Sequence, residues 1–222
     1  MRDNKTSQAA ADYDANVDKT IPRYHLFHDE ILDLVKSAVP QPLTWLDTGC
    51  GTGTLIVKAM AEFGSTRYVA ADPAAGMLQI AAAKLATDQV SYVLAGSEDL
   101  DYTEHFDVIT AVMAHHYLDT AGRRQATSNC YRMLKPGGIY ITFETIQPDT
   151  ATGTHIGLKR WQRTQVLNGK SPEAADKHIS RYGTELQPVT LEAHRQLLAE
   201  TGFSVVEVLW VSGMQAGFYG IK

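Results

Sequence analysis

The sequence predicts an α/β fold: a doubly wound, mostly parallel sheet covered by helices on both faces. Three observations predict it. Five short apolar runs, Leu43–Asp47, Tyr68–Asp72, Val90–Leu94, Phe106–Met113 and Gly138–Thr145, have the length and composition of buried strands. Helical patterns over Leu55–Phe63, Met77–Ala86 and Thr120–Leu134 separate most of them, and that alternation implies right-handed crossovers and parallel pairing. Finally, Leu46-Asp47-Thr48-Gly49-Cys50-Gly51-Thr52-Gly53-Thr54 puts three glycines where the first strand turns into a helix, the place where such sheets hold nucleotide-type ligands.

Each element follows from local chemistry. The chain starts polar, and the first helix runs from Tyr24 to Val39, with Leu26, Phe27, Ile31, Leu32, Leu34 and Val35 at helical spacing between Pro22 and Pro40. Pro42 bounds the first strand. Pro136-Gly137-Gly138 reads as a turn just before the fifth strand. Between Pro148 and Pro188 strand signals are sparse and Trp, His, Arg and Lys are frequent, which predicts a helical insertion over the carboxyl edge of the sheet. Leu191–Glu200 reads as a helix ended by Gly202. Two further strands, Phe203–Val211 and Gln215–Ile221, flank Ser212-Gly213 and bring the expected sheet to seven strands. The expected organisation is one domain over 1–222: N-terminal lid helices (1–40), a ligand-binding core (41–147), a helical insertion or lid (148–188) and a C-terminal helix and hairpin (189–222).

Composition narrows the class. A chain of 222 residues, 44% hydrophobic and 20% charged, can bury a core and is not disordered. No apolar run has the length of a membrane helix, and Met1–Gln8 has no signal-peptide core. Cys50 and Cys130 make no disulfide framework and read as packing residues, so a cytoplasmic location is expected; no Cys/His spacing suggests zinc, and no metal is expected. A net charge of −5 argues against nucleic acid, and the basic cluster Lys159–Arg163 reads as a solvated helix face.

The glycine spacing separates two readings. Nicotinamide-dinucleotide sites use G-x-G-x-x-G, whereas here Gly49, Gly51 and Gly53 form G-x-G-x-G. Asp47 stands two places before the first glycine, and Asp72 follows the last by about 20 residues, the spacing at which a carboxylate reaches ribose hydroxyls. This stretch resembles motif I of the class I S-adenosylmethionine-dependent methyltransferases, and Asp72 matches their ribose-binding acid. The resemblance extends over nearly the whole chain. It implies a Rossmann-like sheet ending in an antiparallel strand beside the fifth, an enzyme, and S-adenosylmethionine as cofactor. It also implies cofactor contacts at Asp47, Gly49, Cys50, Gly51, Gly53, Asp72, Pro73, Met77 and Met113. The family often carries an acid after strand three that binds the adenine; here that position is Gly96, leaving the backbone of Ser97 and Glu98 as the adenine reader.

In the family the segment after strand four lies next to the transferred methyl, which makes His115 and His116 the candidate proton acceptors. Two adjacent side chains cannot face one way along an extended chain, so one is expected to point elsewhere. A base is needed only if the acceptor must lose a proton before attack. Otherwise alignment of nucleophile, carbon and sulfur does the chemistry, and such positioning supplies up to ~7–11 kcal/mol. The expected acceptor is a small molecule, enclosed by the first helix and the insertion. Tyr24, His28, Trp161, Arg181 and Tyr182 are its candidate contacts, with Tyr13 and His155 behind them, and Arg181 suits a carboxylate. No membrane or nucleic-acid partner is expected, and a homodimer is compatible with everything above. Ile21-Pro22-Arg23-Tyr24, His178-Ile-Ser-Arg181-Tyr182 and the run from Glu192-Ala-His194 to Gly202-Phe203 also resemble the carboxy-S-adenosylmethionine synthase family, which serves tRNA modification. A cofactor-binding protein without turnover is the remaining alternative.

Overall fold

The protein was analysed as a computed structural model that describes residues 6–222. Seven strands are present: β1 (Thr44–Thr48), β2 (Arg67–Ala71), β3 (Val90–Val93), β4 (Phe106–Val112), β5 (Leu134–Thr145), β6 (Val205–Ser212) and β7 (Gln215–Ile221). They form one sheet in the order β3-β2-β1-β4-β5-β7-β6. β1 pairs in parallel with both β2 and β4, and β7 is antiparallel to β5 and β6. The helices are α1 (Tyr13–Thr20), α2 (Tyr24–Ala38), α3 (Thr54–Glu62), α4 (Ala75–Lys84), α5 (Thr120–Met133), α6 (Ala151–Leu167), α7 (Pro172–Ile179) and α8 (Leu191–Thr201).

Alternation along the strands sorts the core into two faces. Trp45, Val108, Ile139, Ile141 and Phe143 pack against Phe27, Ile31 and Val35 of α2 and Leu55 and Ile56 of α3. Their neighbours Leu46, Ile109 and Tyr140 pack on the other face against Cys130 and Met133 of α5 and Leu198 of α8. This is the period-two pattern of a sheet covered on both sides.

The structure corrects several expectations. The polar start contains a helix, α1, of which only Val17 and Thr20 are buried. Its sequence has no apolar stripe, because polar contacts fasten it: Asp14 accepts from Thr52 at 2.5 Å and pairs with Lys84 at 2.7 Å. β5 starts at Leu134, four residues earlier than expected. Pro136 and Gly137 therefore lie inside the strand, in a bulge that moves the pairing from Phe106↔Leu134 to Val108↔Ile139, with Gly137 at φ 78°. The hairpin turn is Gly213-Met214, with Ser212 paired to Gln215, and Phe203 precedes β6. The 148–188 segment is helical over α6 and α7. It then runs through an irregular stretch with isolated bridges Tyr182↔Leu186 and Ile146↔Val189.

Trp161 ties α6 to α1 by donating from Nε1 to the Thr20 carbonyl at 2.8 Å, with its ring buried. Trp161→Phe keeps most of the apolar area and strands that buried carbonyl. It should cost about 1–2 kcal/mol, read as a lower urea midpoint with an unchanged m-value.

Candidate functional site

The chain leaves β1 toward β2 and β3, then returns to β4 on the other side. A crevice therefore opens at the carboxyl ends of β1 and β4, where the order reverses. Three glycines form one wall, at φ 70°, 54° and 76° for Gly49, Gly51 and Gly53. Each answers a different demand. A Cβ on Gly49 would lie 2.5 Å from Ala114 Cβ, and one on Gly53 would lie 2.7 Å from Leu85 Cδ1. A Cβ on Gly51 would meet nothing within 4 Å. The outer two permit close packing of protein on protein; the middle one faces open space.

Two carboxylates flank the loop. Asp72, just past β2, accepts from the Gly51 amide at 2.9 Å and the Ala74 amide at 2.8 Å. Burial raises its carboxyl pKa above the usual range, and the two amide bonds oppose that shift. Asp47 is buried at the end of β1 and accepts from Thr110 Oγ1 at 2.7 Å. Burial pushes its carboxyl pKa to about 7, against the Thr110 bond and with help from the negative Asp72.

Past β4, Met113 adopts φ 55°, rare for a side chain with a Cβ, and donates its amide to the Phe143 carbonyl at 2.7 Å. A short 3₁₀ turn, His115–Tyr117, follows. Both histidines are buried, and their rings diverge. His115 bonds Ser97 Oγ through Nε2 at 2.8 Å and Tyr140 Oη through Nδ1 at 3.0 Å, while Thr48 and Ser97 hydroxyls meet at 2.6 Å. His116 turns into the fold, with Nδ1 2.9 Å from Glu144 Oε2. The same carboxylate accepts the His115 and His116 amides and the Thr142 hydroxyl.

These parts surround a cleft of about 690 Å³. Of the expected cofactor residues, Gly49, Gly51, Asp72, Pro73, Met77, Ser97, Glu98 and Met113 line it. Asp47 and Cys50 line an adjoining recess of about 310 Å³ together with Tyr24 and His28. Gly53 lines neither and acts by packing. The Cys50 thiol is buried, which pushes its pKa up and keeps it protonated. His115 borders the cleft, and His116 lies behind it.

Four of the expected acceptor residues do not reach the cleft or its recess. Trp161 packs with Leu186 and Met214 in a separate cluster, because its N–H is spent on Thr20. Tyr182 packs beside it and donates to the Ile146 carbonyl at 3.4 Å. Arg181 lines a different cleft, and His155 is exposed. Conversely, Tyr13, Tyr117 and Leu118 line the main cleft. Tyr117 and Leu118 directly follow the two histidines, a signal that the sequence did offer.

The comparisons with known proteins bear on the family and the fold. Residues 46–138 match a model described as a methyltransferase domain. The chain is 22% identical over 220 residues, 98% of its length and 96% of the relative, to a carboxy-S-adenosyl-L-methionine synthase from Staphylococcus epidermidis. It is 31% identical over 172 residues, 72% of the chain and 68% of the relative, to the dTDP-4-amino-2,3,4,6-tetradeoxy-D-glucose N,N-dimethyltransferase of Saccharopolyspora spinosa. The chain belongs to the S-adenosylmethionine-dependent methyltransferase family. A solved structure of an amino pentose methyltransferase from Micromonospora echinaspora with S-adenosylmethionine bound superposes on this methyltransferase with a TM-score of 0.52. That match has 26% identity and covers 59% of this chain and 54% of the other. The fold is thus the seven-stranded Rossmann-like sheet of these enzymes, and S-adenosylmethionine is the cofactor. Among the described residues of this methyltransferase, no helix is long and apolar enough to cross a membrane.

Proposed function

We propose that the enzyme holds S-adenosylmethionine in the 690 Å³ cleft and its recess and methylates a small-molecule acceptor by direct in-line transfer. The observation that carries this reading is Gly51: its missing Cβ leaves open space against the cleft, and its amide is pinned by Asp72. Asp72 keeps lone pairs for two ribose hydroxyls beyond the amide bonds it accepts. Asp47, with its raised carboxyl pKa, suits the cofactor's cationic amine. Met77 and Pro73 offer apolar walls, and the Ser97–Glu98 backbone faces the adenine end. The N-terminal segment closes over this site through Thr6, Tyr13, Tyr24 and His28, and α6 of the insertion packs behind it on α1.

Bound S-adenosylmethionine supplies a methyl group already activated on a sulfonium. The protein's part is alignment and exclusion of water. Neither expected base presents an unbonded ring nitrogen to the cleft: His115 borders it with both nitrogens hydrogen-bonded, and His116 lies behind it with Nδ1 on Glu144. Burial raises the pKa of Tyr13 and Tyr24, so their phenols stay protonated. The acceptor therefore brings its own lone pair, as a neutral amine, a thiolate or a stabilised carbanion does. A carboxy-S-adenosylmethionine synthase activity is the second reading. It is favoured by similarity that runs through lid and hairpin as well as core, 98% of this chain. The mass of the nucleoside that co-purifies separates the two.

Calorimetry should show S-adenosylmethionine and S-adenosylhomocysteine binding and no NAD binding; the reverse result would sink the proposal. Asp72→Asn should weaken S-adenosylhomocysteine by about 1.5–3 kcal/mol, the worth of a hydrogen bond to a charged group. An unchanged Kd would show that Asp72 does not reach the ribose.

A further inference from the structure

A second, open cleft spanning about 1330 Å³ lies between residues 7–16 and the α7 region. It borders the first. Thr6 lines the cofactor cleft and Ser7, the next residue, lines this one. Tyr117, a wall of the cofactor cleft, has the Arg181 guanidinium over its ring at 5.8 Å, and Arg181 belongs to the second cleft.

The second cleft is rich in donors. Lys170, Lys177 and Arg181 line it, against the carboxylates of Asp12 and Glu185. Glu185 is bound to Arg181 Nε at 3.1 Å. Lys170 donates to Thr20 Oγ1 at 3.0 Å and Gln165 Oε1 at 3.1 Å, both neutral, which leaves one of its three N–H groups. Burial and the nearby Arg181 charge lower its pKa. His178 lines the same cleft, is 5% exposed, and its Nδ1 has no hydrogen-bond partner. Behind Lys170, the fully buried Gln165 has an Nε2 with no partner either. Buried polar groups are rarely left unpaired without a reason. Here two orphans lie beside a half-buried ammonium whose partners carry no charge. An oxyanion would accept from Lys170 and His178 and would offset the repulsion between Lys170 and Arg181.

We propose that this cleft is an oxyanion subsite that holds a carboxylate or phosphate of the methyl acceptor, an assignment that rests on the acceptor reading above. The subsite faces its neighbour across Tyr117, so the anionic end is gripped there while the nucleophilic end reaches toward the cofactor cleft. Small acidic metabolites then suit the site better than neutral or cationic ones.

The test uses the full chain saturated with S-adenosylhomocysteine. Malonate and inorganic phosphate are titrated by calorimetry against chloride at equal ionic strength. At least one should bind saturably in a ternary complex, and which one binds distinguishes carboxylate from phosphate. Lys170→Met and His178→Phe should each raise its Kd about tenfold or more, while the S-adenosylhomocysteine Kd stays within about twofold. If Lys170→Met fails to fold, judged by lost nucleoside binding, the exposed Lys177→Met should still raise the Kd severalfold. Absence of saturable binding, an unchanged Kd in the variants, or displacement of the anion by S-adenosylhomocysteine would each overturn the subsite. Anion binding by a protein that binds no S-adenosylhomocysteine would instead overturn the methyl-transfer reading and leave an oxyanion site of another purpose.

Discussion

Gly51→Val is expected to leave the protein folded and abolish cofactor binding, whereas Gly53→Val, two residues on, is expected to unfold much of the population. Both glycines have left-handed φ, 54° and 76°, so any side chain costs about 1–3 kcal/mol in strain. They diverge beyond that. A Cβ at Gly53 would meet Leu85 Cδ1 at 2.7 Å and Ala81 Cβ at 3.3 Å, in the packed contact between glycine loop and α4. Overpacking there adds about 1–3 kcal/mol, and the sum approaches the ~5–15 kcal/mol that holds a typical domain together. Gly51 meets nothing, so its variant carries strain alone, while its side chain fills the space assigned to the cofactor. Thermal melts with S-adenosylhomocysteine titrations check the pair. The expected pattern is a Tm loss of several degrees for Gly51→Val with affinity down at least ~100-fold, about 2.7 kcal/mol. Retained affinity in folded Gly51→Val would place the nucleoside elsewhere.

Glu144→Gln should be comparably damaging, although residue 144 lines neither of the two clefts nor the recess described above. Its carboxylate accepts the His115 amide at 3.2 Å, the His116 amide at 2.8 Å, His116 Nδ1 at 2.9 Å and the Thr142 hydroxyl at 2.7 Å. An amide nitrogen there faces donors and leaves a buried histidine without its anion, a loss of about 3–5 kcal/mol. The same group sets an acid limit. Burial pushes its pKa up, but the hydrogen bond and charge of His116, with His115 and His194 nearby, outweigh burial and bring it to about 2 from an ordinary 4.5. A depressed carboxylate contributes stability above its unfolded pKa and loses it as pH falls through the folded one. About 3 kcal/mol should therefore disappear between pH 4.5 and 2. Urea midpoints against pH should show this loss, and Glu144→Gln should flatten it. An equally steep curve in the variant would assign the acid sensitivity to other carboxylates.

Part of the candidate site was legible because its parts are local. Strand, glycine loop and helix are contiguous from Leu46 to Glu62, and Asp72 follows one crossover later. The residues that the sequence could rank only by type were decided elsewhere. Arg181, Trp161 and Tyr182 share one segment, yet the fold sends Arg181 to a second cleft and the other two into a small core. Nothing within residues 148–188 encodes that division. It depends on Thr20 and Tyr117, which lie 141 and 64 positions before the side chains they receive, Trp161 and Arg181.

By itself the sequence determined the alternating sheet, its switch point, and the G-x-G-x-G loop with its distant carboxylate, because periodicity and backbone permissiveness act over a few residues. Only the tertiary structure decided which glycine faces open space, which carboxylate is buried against Thr110, and that the two histidine rings diverge, His115 to Ser97 and Tyr140 and His116 to Glu144. Those properties belong to distances between elements: Ala114, Leu85, Thr110, Ser97, Tyr140 and Glu144 lie far along the chain from the groups they constrain. A side chain's chemistry follows from what surrounds it, and burial and partners exist only once the helices have closed on the sheet.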